Sequence, residues 1–271
     1  SELFLTERLD EDILSALLLL TNDPSEHVRF QLALTLGETS DDRAIAGLAR
    51  LALDVGNGTD TRTAILSSVA GTADKLAQRL ITSDQSDSAR ILTLLSQLGQ
   101  TAGSNPKTTS AVRMLSSIAG GEVSTKVQQA ILNGIGKGLA ARGSSVSKLL
   151  ADTSVSEKAR NEVGTLFANA VQSGRNNQNS LNERESAIRL LAFADVTMAT
   201  IALPSFLSPQ TPPPLQRAAV AALAQHDSGE IASTLLTGWK SYSPQVRRDV
   251  VDALVVKTSR IQTLLQAVES E

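Results

Sequence analysis

The segment Gly134-Ile135-Gly136-Lys137-Gly138 is the first candidate for chemistry, because glycines let backbone amides close on an anion and a neighbouring lysine can reach a phosphate oxygen. Its spacing does not support that use. A Walker loop needs four residues between its first glycine and a Gly-Lys followed by Ser or Thr, and a dinucleotide fingerprint needs a third, more distant glycine. Both follow a strand, whereas Val127-Gln128-Gln129-Ala130-Ile131-Leu132 has a helical pattern. The glycines are therefore expected on one helix, where they let a neighbouring backbone come close.

Other reactive residue types are as sparse. The two histidines, His27 beside Asp23 and His226 before Asp227, are not at metal-ligand spacing and read as solvent-facing neighbours of helix starts. Gly-x-Ser-x-Gly occurs nowhere, and Ser67-Ser68 falls inside an amphipathic helix, so no nucleophile elbow is present. Glu38, Asp41 and Asp42 form the densest acidic cluster, which could hold a cation; the preferred reading is acids meeting the positive end of a helix dipole. No catalytic, cofactor-binding or metal-ligating residue is nominated.

A column of donors remains. Arg29 and Arg62 stand 33 residues apart, Arg184 and Gln216 32, and Gln216 and Arg247 31. Apolar residues follow each at matching offsets: Leu32, Ile65, Ala187, Ala219 and Val250, then Leu36, Val69, Leu191, Leu223 and Leu254. Arg29, Arg62, Arg184 and Arg247 could line a binding groove, or could pair with acids at the turns of adjacent repeats and fix their stacking; of the two we favour stacking. Trp239 and Tyr242 could anchor a partner, but Trp239 is better placed to seal the last groove between repeats.

Such a column requires helices in register. A pattern restarting about every thirty residues marks stacked helix pairs. The composition agrees: 41% hydrophobic but 3% aromatic gives a core of Leu, Ile, Val and Ala. Cap-and-proline or cap-and-acid signals mark helix starts at Asp23-Pro24 with Glu26, Asn105-Pro106, Asp227-Ser228-Gly229-Glu230 and Ser243-Pro244, making Asp23, Asp227 and Ser243 the expected caps. Breaks are expected at residues 99–105, 120–121, 143–147, 173–180 and 209–214. The expectation is an all-α, right-handed superhelical solenoid of about eight hairpins, continuous over residues 1–271.

Charge and length exclude other classes. With 25 basic and 28 acidic residues the net charge is −3, which lacks the basic excess that drives binding to nucleic acid. Residues 13–20, the longest apolar run, are too few to span a bilayer, and with no cationic n-region before them they are not expected to be a signal peptide. The absence of cysteine removes disulfides, thiolate chemistry and covalent heme attachment. A start at Ser1, without methionine, suggests a piece of a longer multidomain protein.

Helix, Asp-Pro turn, then Val-Arg opening a second helix resembles HEAT and armadillo-like repeats, most plainly over residues 14–38 and 231–255. More narrowly, the run from Asp23-Pro24-Ser25-Glu26-His27-Val28-Arg29 to Gly37-Glu38, with Arg43-Ala44 and Arg62-Thr63-Ala64-Ile65-Leu66-Ser67-Ser68, is similar to one bacterial family. That family is the HEAT segment of large PVC-type heme-binding, membrane-bound dehydrogenase (sorbosone dehydrogenase-like) proteins. Leu132-Asn133-Gly134-Ile135-Gly136-Lys137-Gly138-Leu139 and Trp239-Lys240-Ser241-Tyr242-Ser243-Pro244-Gln245-Val246-Arg247 fit its later repeats; Thr61 departs from it, standing where a bulky residue precedes the arginine. The resemblance implies an exported, periplasmic parent with a β-propeller similar to sorbosone or glucose dehydrogenases and a cytochrome c module. Heme c and a quinone cofactor are implied for that parent and none for this segment. This segment would be a non-catalytic spacer with a protein-binding concave face. The other reading is a free-standing protein-binding adaptor with no redox role.

Overall fold

The structure is a computed structural model that describes residues 11–39, 41–54, 56, 58–119 and 123–269. It is all-α: the described residues form sixteen α-helices packed against one another, and no strand. Ser1 and the break expected at Gly120-Gly121 lie outside the described residues. The chain divides into two compact units, one of residues up to Ser145 with Ala151–Ala159, the other of Val146–Leu150 with Arg160 onwards.

The first unit contains α1 (Glu11–Leu19), α2 (Glu26–Gly37), α3 (Asp42–Leu53), α4 (Thr59–Ser68), α5 (Ala73–Ile81), α6 (Ala89–Ser104), α7 (Thr109–Ile118) and α8 (Thr125–Ala141). Helices pack on sequence neighbours, as α2 does on α3 and α5 on α6, and also on the helix after next. α3 touches α1 and α5, and α5 touches α7; α2 touches α4, α4 touches α6, and α6 touches α8. Odd and even helices thus make two layers, and Leu36, Leu48, Leu51, Ile65, Leu76 and Leu95 are buried without solvent contact or nearly so. The apolar stripes of these helices are covered by the helices they pack on.

The second unit contains α9 (Val146–Leu150), α10 (Glu157–Arg175) from Arg160, α11 (Leu181–Leu190), α12 (Val196–Ala202), α13 (Pro213–Gln225), α14 (Glu230–Thr237), α15 (Pro244–Val255) and α16 (Thr258–Glu269). The alternation recurs: α11 touches α13, α13 touches α15, and α14 touches α16. The ten apolar residues of the column, Leu32 and Leu36 through Val250 and Leu254, are all buried.

Helix starts separate two kinds of proline signal. Ser243 caps α15, its hydroxyl accepting from Val246 N at 3.3 Å, with Pro244 in the first turn where no N–H is wanted. Asp23 does not cap α2. Its Oδ1 accepts from Ser25 N at 2.8 Å, an Asx turn that delays entry until the extended Ser25, and Glu26 makes no capping box but accepts from Gly58 N at 3.0 Å. Asn105-Pro106 behaves alike, with Asn105 Oδ1 accepting from Lys107 N at 2.9 Å and α7 starting only at Thr109. Asp227 is not a cap either: the Ser228 hydroxyl accepts from Glu230 N at 3.3 Å, leaving Asp227 to meet Lys257 Nζ at 3.5 Å.

The expected break over residues 99–105 is also corrected. Gly99 and Gly103 lie inside α6, because this helix packs directly on Gly134 and Gly138 of α8. A Cβ on Gly134 would stand 2.8 Å from Ser96 C and 3.0 Å from Gln100 N, and one on Gly99 2.7 Å from Ile131 O. The glycines of the would-be phosphate loop are thus spent on backbone-to-backbone contact. Gly143 ends α8 at φ +72°, its amide bonding Ala140 O at 3.0 Å and the Ser144 amide bonding Leu139 O at 2.9 Å, the pattern of a Schellman stop.

Candidate functional site: the arginine column and a niche at Arg62

Seven helices carry a planar N–H donor four residues after the cap position: Arg29, Arg62, Gln128, Arg160, Arg184, Gln216 and Arg247. Six reach back to a carbonyl at the end of the preceding helix or in the turn after it. Arg29 Nη1 donates to Asp23 O at 2.5 Å, Gln128 Nε2 to Ile118 O at 2.9 Å and Arg160 Nε to Leu150 O at 2.7 Å. Arg184 Nε donates to Gly174 O at 3.0 Å, Gln216 Nε2 to Ser208 O at 2.8 Å and Arg247 Nε to Trp239 O at 3.0 Å.

Those carbonyls lie at helix ends or in turns, where bonding within a helix runs out, and a donor from the next helix completes the turn; Trp239 O and Ser208 O also accept locally, from Tyr242 N at 3.3 Å and Thr211 N at 2.9 Å. Gln substitutes for Arg because the position asks for N–H groups rather than charge. This corrects the expectation that the arginines pair mainly with acids of adjacent repeats. Arg29 also looks forward, with Nη2 to Gly56 O at 3.4 Å and Nε 3.8 Å from Asp54 Oδ2. Arg247 adds Lys240 O at 3.0 Å and covers the Trp239 ring at 5.5 Å from its centroid. Tyr242 is buried, so it is no exposed anchor.

Further contacts between helices come from side chains to which the sequence assigned no such role. Lys75 Nζ meets Asp42 Oδ1 at 2.7 Å, and Arg217 Nε meets Asp249 Oδ2 at 2.6 Å. Buried Asp74 accepts from the Ser110 hydroxyl and lies 3.4 Å from Arg113 Nη1. Asp42 and Asp74 sit in the first turns of α3 and α5, 32 residues apart, a second column visible in retrospect. Asp41 caps α3 through Arg43 N at 2.8 Å, so the acidic cluster does serve a helix start.

His27 is exposed, but His226 is not: it is 8% exposed, and its Nε2 donates to Leu191 O at 3.1 Å. Burial lowers its pKa below the ordinary imidazole value, against the raising effect of that hydrogen bond. Beside it, fully buried Arg260 donates to Ala224 O at 3.1 Å, Ala253 O at 3.0 Å and His226 O. Again the task is satisfying carbonyls across a repeat.

Arg62 is the exception. Among the described residues its half-buried guanidinium has no hydrogen-bond or ion-pair partner, and it faces a niche of about 170 Å³. The carbonyls at the end of α3, those its position would reach, are taken by Arg90 of α6: Nη1 donates to Ala52 O at 2.5 Å and Asp54 O at 3.0 Å, and Nη2 to Leu53 O at 2.6 Å.

No group of three or more acidic or histidine side chains that could hold a metal occurs among the described residues, and no described helix is long and apolar enough to cross a membrane. A covalently held heme does not fit this chain, which has no cysteine and whose buried histidine spends its Nε2 on a carbonyl. The fold and these contacts define an all-α protein of packed helices whose turns are closed by arginine and glutamine side chains. No protein-family model matches the chain, and no curated protein matches it.

Proposed function

We propose that this chain is a non-catalytic helical-repeat scaffold of HEAT or armadillo type, a right-handed α-solenoid that holds other protein segments on its helical surface. The observation that carries this reading is recurrence. The same donor position closes turn after turn, and side chains join elements about one repeat apart: Asp42 to Lys75, Asp74 to Ser110, Asp87 to Ser124 and Arg217 to Asp249. Repeats built so gain rigidity from their neighbours and present broad surfaces rather than deep polar pockets, which suits binding protein segments.

The setting follows the family resemblance: a spacer between a propeller dehydrogenase and a cytochrome c module in an exported bacterial protein. The test is deletion of residues 1–271 from the full reading frame. Loss of electron transfer between flanking domains that each stay active is the expected result, and unchanged coupling overturns the spacer role. A reading frame without a Cys-x-x-Cys-His motif removes the redox setting and leaves the free-standing adaptor.

A further inference from the structure

The niche at Arg62 combines features that point to a ligand. Its floor is Leu51, Ala52, Ile65 and Leu94, each buried, and its rim carries the guanidinium groups of Arg62 and Arg90. Arg90 spends its Nη hydrogens on the carbonyls of residues 52–54 and on Gln85 Oε1, whereas Arg62 has no partner for its donor fork among the described residues. Neither arginine has a carboxylate within 4.0 Å among the described residues, so two positive charges stand uncompensated over apolar surface.

We propose that this niche binds a carboxylate on a short hydrocarbon stem, with the Arg62 guanidinium taking the carboxylate and Leu51, Ile65 and Leu94 the stem. A guanidinium fork matches the two oxygens of a carboxylate. The volume is near the roughly 150 Å³ that accommodates benzene, which sets the stem at about six carbons. A phosphate fits worse: one free fork would leave oxygens without donors, and the floor would stay uncovered. The chemistry is shared by a free short-chain acid and by the C-terminal leucine of a peptide. The inference stands apart from the scaffold reading, because a small acid can bind whether or not the helical surface holds a protein.

The test is a methyl and guanidinium NMR titration of the full chain with hexanoate, hexanol and inorganic phosphate at millimolar concentrations. Hexanoate is expected to shift Ile65 and Leu94 methyls and the Arg62 Nε–H saturably, with hexanol and phosphate at least about tenfold weaker. Arg62→Gln should weaken hexanoate about tenfold or more while leaving the urea midpoint unchanged, since Arg62 has no hydrogen-bond or ion-pair partner among the described residues; Arg62→Lys should fall between. Absent shifts at Ile65 and Leu94, equal binding of hexanol, or unaltered binding to Arg62→Gln each overturns the proposal. Short peptides ending in leucine, with free or amidated C-termini, distinguish the sources: a free-carboxylate peptide binding tighter than hexanoate identifies a protein terminus, and the reverse order a small acid.

Discussion

Replacing Gly134 by alanine inserts one methyl group where α6 and α8 touch through their backbones. The new carbon would stand 2.8 Å from Ser96 C and nearer still to Ser96 O, against ordinary carbon–carbon contact at roughly 3.5–4.0 Å. The obstruction is backbone, with no flexible end to swing away, so the two helices must part by about 1 Å. A gap of that size forfeits roughly a quarter to a half of each dispersion contact along the seam. The cost therefore belongs at or above the upper end of overpacking, about 3 kcal/mol. Alanine returns about 1 kcal/mol through its better helix propensity. The net is about 2 kcal/mol of destabilisation, roughly 4–8 °C in melting temperature for a chain near this size that melts as one unit. Gly164 in α10 is the matched control: it is exposed, nothing lies within 4 Å of its added Cβ, and Gly164→Ala should stabilise by about 0.5–1 kcal/mol. Urea titration followed by helical circular dichroism reads both variants, with native-state hydrogen exchange locating the loss to α6 and α8. If Gly134→Ala were as stable as the parent, or gained as much as Gly164→Ala, the close seam would be refuted.

Further outcomes follow from the same contacts. Arg247→Ala, which removes two carbonyl hydrogen bonds and the cover over Trp239, should cost about 1–3 kcal/mol by urea titration, whereas Arg62→Gln should stay within about 0.5 kcal/mol; equal losses would show that Arg62 has a structural partner. His226 has its folded pKa below its unfolded one, so the unfolded chain takes the proton more readily. Stability should be full above about pH 6.5 and fall as pH drops from there towards the folded value, and a His226→Gln variant should lose less between about pH 7.5 and about pH 5.5; parallel losses would remove His226 as the cause. Asp74→Ala removes the acceptor of the buried Ser110 hydroxyl, which keeps only the Asp74 N–H at 3.4 Å, and should cost about 1–3 kcal/mol, while Lys75→Ala, which breaks a mostly exposed pair, should cost under about 1 kcal/mol; thermal melts that reverse this order would contradict the burial argument.

Periodicity made the helices legible. The apolar column from Leu32 to Leu254 needed only a spacing near 3.6 residues and a restart, and every member is buried. The glycine seam was half legible. Gly134 and Gly138 read as a close approach, but Gly99 and Gly103 read as a loop, because glycine breaks an isolated helix and only the partner backbone shows why it is retained inside this one. Ser243 caps its helix as expected, but Asp23 and Asn105 do not, for a local reason. Asp23 and Asn105 can bond the amide two residues on, and with proline between them that Asx turn wins over capping.

The candidate site was illegible for a longer-range reason. Arg62 occupies the same column position as Arg29, Arg184 and Arg247, so its sequence neighbourhood assigns it the same task. What differs lies in the next repeat: α6 has Leu92 at the fourth position and places Arg90 two residues after its cap Ser88, close enough to take the carbonyls of Ala52, Leu53 and Asp54. A donor position is thus filled twice and a guanidinium is left over, above an apolar hollow that a donor tied to those carbonyls would have crossed. Where helices reuse one donor position to close their turns, function is best sought where that contact is made by another residue, because the residue relieved of it retains a charge that the fold no longer uses.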